Sequence, residues 1–280
     1  MSRRSPFLDP RNGPAGDLPA LLPGTPARTF VIASLPRTGS TLLGHLLRLT
    51  GEVGDPREYL NPMQVRDFEV RLGETAARRT GQRFLRGPAI GFATRGRWDR
   101  ARLERYLARV RVRRTGPSGW FGLKLHWHHL RFWFLDRGWP VEEVLGPERW
   151  IWIRREDRVA QAVSWARALQ TGRWASHQRA LRPAIYRSRQ ISRLLHTIEA
   201  SERAWQEFFE RGGIEPLELV YEELVVSPAA SVAAVLTRLG VSAPPPLQID
   251  GLPQARQGDA TNARWIARFR GQAGRPLAPG

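Results

Sequence analysis

Between an apolar run and an amphipathic stretch the chain reads Ser34-Leu35-Pro36-Arg37-Thr38-Gly39-Ser40-Thr41, residue types suited to holding an anion. Thr29-Phe30-Val31-Ile32-Ala33-Ser34 has the composition of a buried strand, and Thr41 to Leu49 carries an apolar face at helical spacing. A strand, a glycine-containing turn and a helix leave N–H groups converging at the helix N-terminus, where the helix dipole adds partial positive charge. Ser40 and Thr41 add hydroxyl donors, and Arg37 a guanidinium. Taken alone the pattern is weak, because Gly39 also suits an ordinary strand-to-helix turn and Arg37 a surface charge.

What the loop lacks narrows the chemistry. The nucleotide-triphosphatase pattern G-x-x-x-x-G-K-[ST] places a lysine after its second glycine, whereas Ser40 and Thr41 follow Gly39 directly. The leading glycine is missing too. Such enzymes also hold magnesium with an acidic residue at a neighbouring strand end, but here the strand-like run Arg149 to Arg154 ends in Arg154-Arg155. Cations stand where a metal-dependent enzyme needs a carboxylate. His126, His128 and His129 lie too close together on one element to converge on a metal, with no suitably spaced carboxylate, so no metal site is expected.

The elements that must position these groups follow from periodicity. Trp120 to Leu125, Arg149 to Arg154 and Pro216 to Val220 read as further strands. Helical patterns run over 62–85, Asp99 to Arg114, Glu156 to Thr171, Ser188 to Arg211, Pro228 to Leu239 and Ala263 to Arg270. Strands alternating with helices predict an α/β fold, a P-loop-like three-layer sandwich with a central, mostly parallel sheet flanked by helices. Residues 1–27, rich in Pro and Gly, read as a poorly ordered lead-in, and 28–280 as a single domain.

Composition sets outer bounds. The 280 residues suffice for a full core, and the lack of cysteine excludes disulfides, thiolate metal sites and cysteine nucleophiles. No apolar run reaches the roughly 18–20 residues that span a bilayer. The basic start Met1 to Pro6 lacks an apolar continuation, so no secretory leader and a cytoplasmic location are expected. Net charge is +18, with Lys124 the lone lysine among 44 basic residues. That charge suits an anionic partner or a peripheral membrane contact, although most of it reads as arginine-rich composition spread over solvated faces. No five basic residues are consecutive, which argues against a polybasic arm.

Several stretches, in order, resemble the PAPS-dependent sulfotransferases (PAPS is 3′-phosphoadenosine-5′-phosphosulfate). The likeness is to their bacterial carbohydrate branch, that of the trehalose-sulfating enzymes. Phe30 to Leu43 is similar to the 5′-phosphosulfate loop, Gly54-Asp55-Pro56-Arg57-Glu58-Tyr59 to the acidic motif after the first helix, and Gly122 to Trp127 to the second strand. Arg155 to Trp174 is similar to the 3′-phosphate segment, and Arg256 to Trp265 to a motif near the C-terminus. The resemblance spans about residues 28 to 270 and implies the sulfotransferase fold.

The resemblance also implies roles. Pro36, Arg37, Thr38, Gly39, Ser40 and Thr41 would hold the 5′ side of PAPS, with Arg155, Ser164 and Arg256 on its 3′ side. The donor would leave as 3′-phosphoadenosine-5′-phosphate. Arginine and hydroxyl donors suit phosphate. Arg37 would stabilise charge on the leaving oxygen. Glu58 would be the general base, with His126 its rival; apart from the resemblance, Lys124, as the lone lysine, suits a strand end facing the sulfate. Asp55, Glu58 and Tyr59 would meet the acceptor, a carbohydrate or glycolipid-like hydroxyl compound, and Trp127 is added for the aromatic face on which a sugar can stack. Dimerisation is implied by the likeness alone.

Three departures bear on the acceptor: Pro36 stands where the trehalose-sulfating enzymes have glutamine, Leu60-Asn61-Pro62 replaces a more aromatic run, and 62–118 matches poorly. Two other readings of the residues are a divergent P-loop kinase or nucleotidase, and a basic nucleic-acid-binding protein. Against the latter, the chain shows no zinc, helix-turn-helix or RNA-recognition pattern.

Overall fold

A computed structural model describes residues 27–62, 65, 68, 98–174, 180–242 and 259–273. The expected lead-in therefore falls, except for Ala27, outside the described residues, as does most of the expected helix over 62–85. Four parallel strands, β1 (Arg28–Ser34), β2 (Trp120–His126), β3 (Pro147–Arg154) and β4 (Leu217–Val220), lie in the order β2-β1-β3-β4.

Alternation along each strand builds two cores, one on each face. Val31 and Ala33 of β1, Phe121, Leu123 and Leu125 of β2, and Trp150 and Trp152 of β3 face one core. Phe30, Ile32, Trp120, Ile151 and Ile153 face the other. A strand buried on both faces has no reason to alternate with polar residues, which is why these runs are apolar almost throughout. Covering the second face are α1 (Ser40–Leu49) and, from the C-terminal part, α7 (Tyr221–Val226) and α8 (Pro228–Leu239). The first face is covered by α2 (Arg100–Arg114), α3 (Trp127–Trp133), the short α4 (Val141–Val144), α5 (Arg158–Thr171), α6 (Ser188–Arg211) and α9 (Ala260–Ala273). The expected three-layer α/β architecture with a parallel sheet is thus the observed one. Among the described residues no helix is long and apolar enough to cross a membrane.

Local signals fix the ends. Asp157 caps α5, its carboxylate accepting from Ala160 N–H at 2.9 Å, and Gly172 ends the helix in the left-handed region. The strand order matters most for function. The chain leaves β1 for β2 on one side, then crosses back to β3 on the other, so the loops after β1, β2 and β3 meet at one sheet edge. In open α/β sheets that switch of direction is where ligands bind.

Candidate active site

The loop after β1 is wound tightly. Thr38 folds back so that its N–H and its hydroxyl both donate to Leu35 C=O, at 3.4 and 2.9 Å. Arg37 has a left-handed backbone, φ 70°, unusual for a residue with a Cβ and tolerated only where surroundings enforce it. Those surroundings include Gln161 of α5, whose amide donates to Pro36 C=O at 2.9 Å. Gly39, also left-handed, lies under the Tyr221 ring, where a Cβ would collide. No side chain caps α1, and Leu43 N–H is already bonded to Gly39 C=O, so the first-turn N–H groups point at the loop with the positive end of the helix dipole.

Cations line one side of this cradle. Arg37 Nε donates to Ser164 Oγ at 3.0 Å and its terminal nitrogen to Trp174 C=O. Arg155 leaves the end of β3 and lies over the Tyr221 ring, 4.5 Å from its centroid. Its Nε is buried without a hydrogen bond, the nearest carboxylate oxygen, Glu222 Oε1, being 3.7 Å away. Burial, followed by the charge of Arg155, draws the Arg37 guanidinium down to about 10. Two guanidiniums that oppose each other's charge, beside unpaired helix N–H groups, are a place that an anion would stabilise. Arg154, by contrast, turns away to Glu218 and the Trp152 ring.

The other side holds the acid–base groups. Arg57 pairs with Leu123 of β2, Lys124 N–H donating to Arg57 C=O at 2.8 Å, which sets Glu58 beside the end of that strand. Gly44 lets α1 approach this segment, since a Cβ there would sit 2.7 Å from Pro56 C=O. Lys124 Nζ donates to Thr41 Oγ1 at 2.8 Å and to Glu58 Oε1 at 3.1 Å. His126 Nε2 is 3.4 Å from the same oxygen, while its Nδ1 is 2.9 Å from Ser34 Oγ. Asn61 donates to Glu58 Oε2 at 2.8 Å. Burial pushes the Glu58 carboxyl up, but Lys124 and then His126 outweigh it and hold it well below the usual carboxylate range. Burial, with the neighbouring His128 and His126, keeps His129 neutral, and its Nδ1 has no hydrogen-bond partner. Among the described residues no group of three or more His, Asp or Glu could hold a metal ion.

Of the residues expected to form a site, the fold brings Arg37, Thr38, Gly39, Ser40, Thr41, Arg155 and Ser164 together around the loop. Glu58, Lys124 and His126 stand on its other side. Pro36 contributes a carbonyl that anchors the loop. Two acceptor candidates lie elsewhere. Asp55 is buried, its Oδ2 accepting from Arg57 at 2.6 Å, Arg48 at 3.0 Å and Arg114 at 3.3 Å. Tyr59 is fully buried, packed on Phe121 and Phe68, with its hydroxyl donating to Asp55 C=O. Both are committed to the core, so the acceptor reading of these two residues gives way to a structural one. Trp127 is half-buried against Trp205 and Phe208, and Arg256 lies outside the described residues.

Asp55 therefore carries a stability prediction. Asp55→Asn removes the shared anion from three guanidiniums and should cost about 3 kcal/mol, read as a lower midpoint in chemical denaturation. An unchanged midpoint with a raised acceptor KM would return Asp55 to acceptor binding. Sequence reasoning missed Tyr221, Gln161, Asn61 and the hydrogen bond between Ser34 and His126. Tyr221 and Gln161 act through the loop's backbone and leave no local motif, while Asn61, three residues after Glu58, was legible as a partner for it.

Against known proteins, residues 29–272 match the family model described as Stf0 sulphotransferase. The chain is 28% identical over 265 residues to the trehalose 2-sulfotransferase of Mycobacterium tuberculosis, covering 89% of this chain and 96% of that one. It is 29% identical over 273 residues to the trehalose 2-sulfotransferase of Mycolicibacterium smegmatis, covering 91% and 98%. Among solved structures it is similar to the sulfotransferase domain from the Synechococcus PCC 7002 olefin synthase, at 17% identity and a TM-score of 0.47, covering 91% of this chain and 90% of that one.

Proposed function

The chain belongs to the Stf0 sulphotransferase family, and from that premise we propose that it transfers a sulfuryl group from PAPS to a carbohydrate hydroxyl, in line, with a carboxylate base and no metal. One observation carries the reading: Lys124 Nζ reaches both the anion loop, through Thr41 Oγ1, and the base, through Glu58 Oε1. A single ammonium joins the place where negative charge would collect to the group that would take a proton.

The residues fit the donor by their chemistry. Arg155, with a buried unbonded Nε, and Arg37 with Ser164 supply donors for a phosphate, and the first turn of α1 supplies more. PAPS, when bound, supplies the sulfuryl group and the 3′-phosphoadenosine-5′-phosphate leaving group. Glu58 accepts the proton of the attacking hydroxyl, while Asn61 and Lys124 fix the orientation of its carboxylate. Lys124 and Arg37 counter the charge that develops on the loop side. The acceptor class is supported by the trehalose 2-sulfotransferases to which the chain is similar. With Asp55 and Tyr59 in the core, Glu58 and Trp127 remain to meet the acceptor.

A thermal-shift comparison of 3′-phosphoadenosine-5′-phosphate, ATP and NAD tests the donor. The first should raise the melting temperature, and stabilisation by ATP alone would overturn the reading. Labelled PAPS with a panel of sugars then names the acceptor.

The pH profile tests Glu58 as the base. Because Lys124 and His126 hold Glu58 well below 4.5, it is ionised throughout the neutral range. The acid limb of kcat/KM should fall below that value, and an acid limb in the neutral range would remove Glu58 as the base. The linked stability has the same sign. A depressed carboxyl stabilises the fold above its unfolded value, and that contribution is lost as pH falls through the lower folded value.

A further inference from the structure

From Arg158 to Ile198 the chain contains eight arginines and neither Asp nor Glu. Within this stretch three aliphatic side chains stand out in water: Leu169 is 49% exposed, Leu181 55% and Ile185 58%. Single exposed aliphatics are ordinary, so their grouping is what matters. The grouping is built. Leu181 N–H donates to Thr171 C=O at 2.8 Å, and Ile185 N–H to Gln170 Oε1 at 2.7 Å, tying this strap to the last turn of α5, where Leu169 sits. The same Gln170 donates to Gln190 of α6 at 2.7 Å. With the backbone tied at both points, Leu181 and Ile185 are held beside the last turn of α5 with their side chains exposed.

Cations surround them. Arg182, Arg187, Arg189 and Arg193 are exposed and form no ion pair with a described carboxylate. Arg268 of α9 lies over the Tyr186 ring, 4.2 Å from its centroid, next to Ile185. Two other arginines of the stretch are already neutralised, Arg158 by Glu202 and Arg167 by Asp259. Arg182, Arg187 and Arg189, which pair with no described carboxylate, thus lie next in the chain to the protruding Leu181 and Ile185, and the face adjoins the active site through Trp174, whose carbonyl holds Arg37.

We propose that this face docks on an anionic lipid bilayer, Leu169, Leu181 and Ile185 entering the acyl boundary while Arg182, Arg187, Arg189 and Arg268 meet headgroup phosphates. Aliphatic side chains ringed by arginine match an interface that is apolar within and anionic at its surface. A nucleic acid offers the anions but no apolar interior, and aliphatics add little to binding one. The proposal does not depend on the transfer reaction, since it is read by binding. It places the active site at the edge of the bilayer, within reach of lipid-borne acceptors.

The test is co-sedimentation of the full chain with vesicles of phosphatidylcholine alone or of equimolar phosphatidylcholine and phosphatidylglycerol, at low and high salt. The wild type should pellet with the anionic vesicles only, and less so in high salt. L181S/I185S and R182E/R187E/R189E, which alter exposed side chains, should each lower the partition coefficient by about tenfold while melting like the wild type. Failure of the wild type to bind anionic vesicles at low salt overturns the proposal, as does binding that neither variant reduces. So does tighter binding to duplex RNA that only the arginine variant weakens. Loss of self-association in L181S/I185S, with vesicle binding intact, would assign the face to a second copy of the chain.

Discussion

Glu58→Gln should lower kcat by about 10²- to 10⁴-fold, the usual contribution of a positioned general base, and leave the affinity for 3′-phosphoadenosine-5′-phosphate unchanged. Glutamine keeps the size of the side chain and an oxygen that can still accept from Lys124, so the surrounding geometry survives and the proton acceptor does not. The donor half of the site, around Arg37 and Arg155, makes no hydrogen bond to Glu58. His126 provides the control. Its Nε2 faces Glu58 Oε1 at 3.4 Å and its Nδ1 is engaged with Ser34, which suits a positioning group. His126→Asn should therefore lose less than Glu58→Gln and should keep the low acid limb. Full turnover by Glu58→Gln, with a collapse in His126→Asn, would exchange the two roles.

Much of the fold was legible because the strands are buried on both faces and the helices are periodic. The strand cores of β1 and β2, and α6 from Ser188 to Arg211, lie where the pattern put them. Three helices, α3, the single-turn α4 and α7, were not foreseen. Residues Trp127 to Trp133 continue an aromatic run straight from β2 into α3, and Tyr221 to Val226 are aromatic and β-branched at several positions, so local preference argued against a helix in both. Tertiary packing overrides it there. In the site, the loop and its arginines could be recognised because anion binding demands particular residue types. Asp55 and Tyr59 could not be assigned from sequence, because a carboxylate that faces solvent and one that pins three arginines in the core look alike until Arg114 is brought from the distant α2 to join Arg48 and Arg57.

Arg155→Ala separates binding from structure by acting strongly on the first and little on the second. In the free protein Arg155 is a burden on its neighbour, since its charge is among the causes that draw Arg37 down. Its partner Glu222 is not stranded by the change, because that carboxylate also accepts from the N–H groups of Glu156 and Asp157, at 3.1 and 3.4 Å. The half-exposed ion pair at 3.7 Å contributes little, within about 0–1 kcal/mol. The ligand-free melting temperature should therefore move little. Binding is different. A hydrogen bond from a guanidinium to a phosphate is worth about 1.5–3 kcal/mol, so the Kd for 3′-phosphoadenosine-5′-phosphate should rise by roughly 10- to 150-fold. Calorimetric titration measures the second quantity and thermal melting the first. Arg155→Lys should recover only part of the affinity, because an ammonium restores the charge without the fork. A variant that binds the nucleotide as tightly as wild type would remove Arg155 from the donor site. One that melts several degrees lower would make it a structural residue, leaving its buried, unbonded Nε without a use.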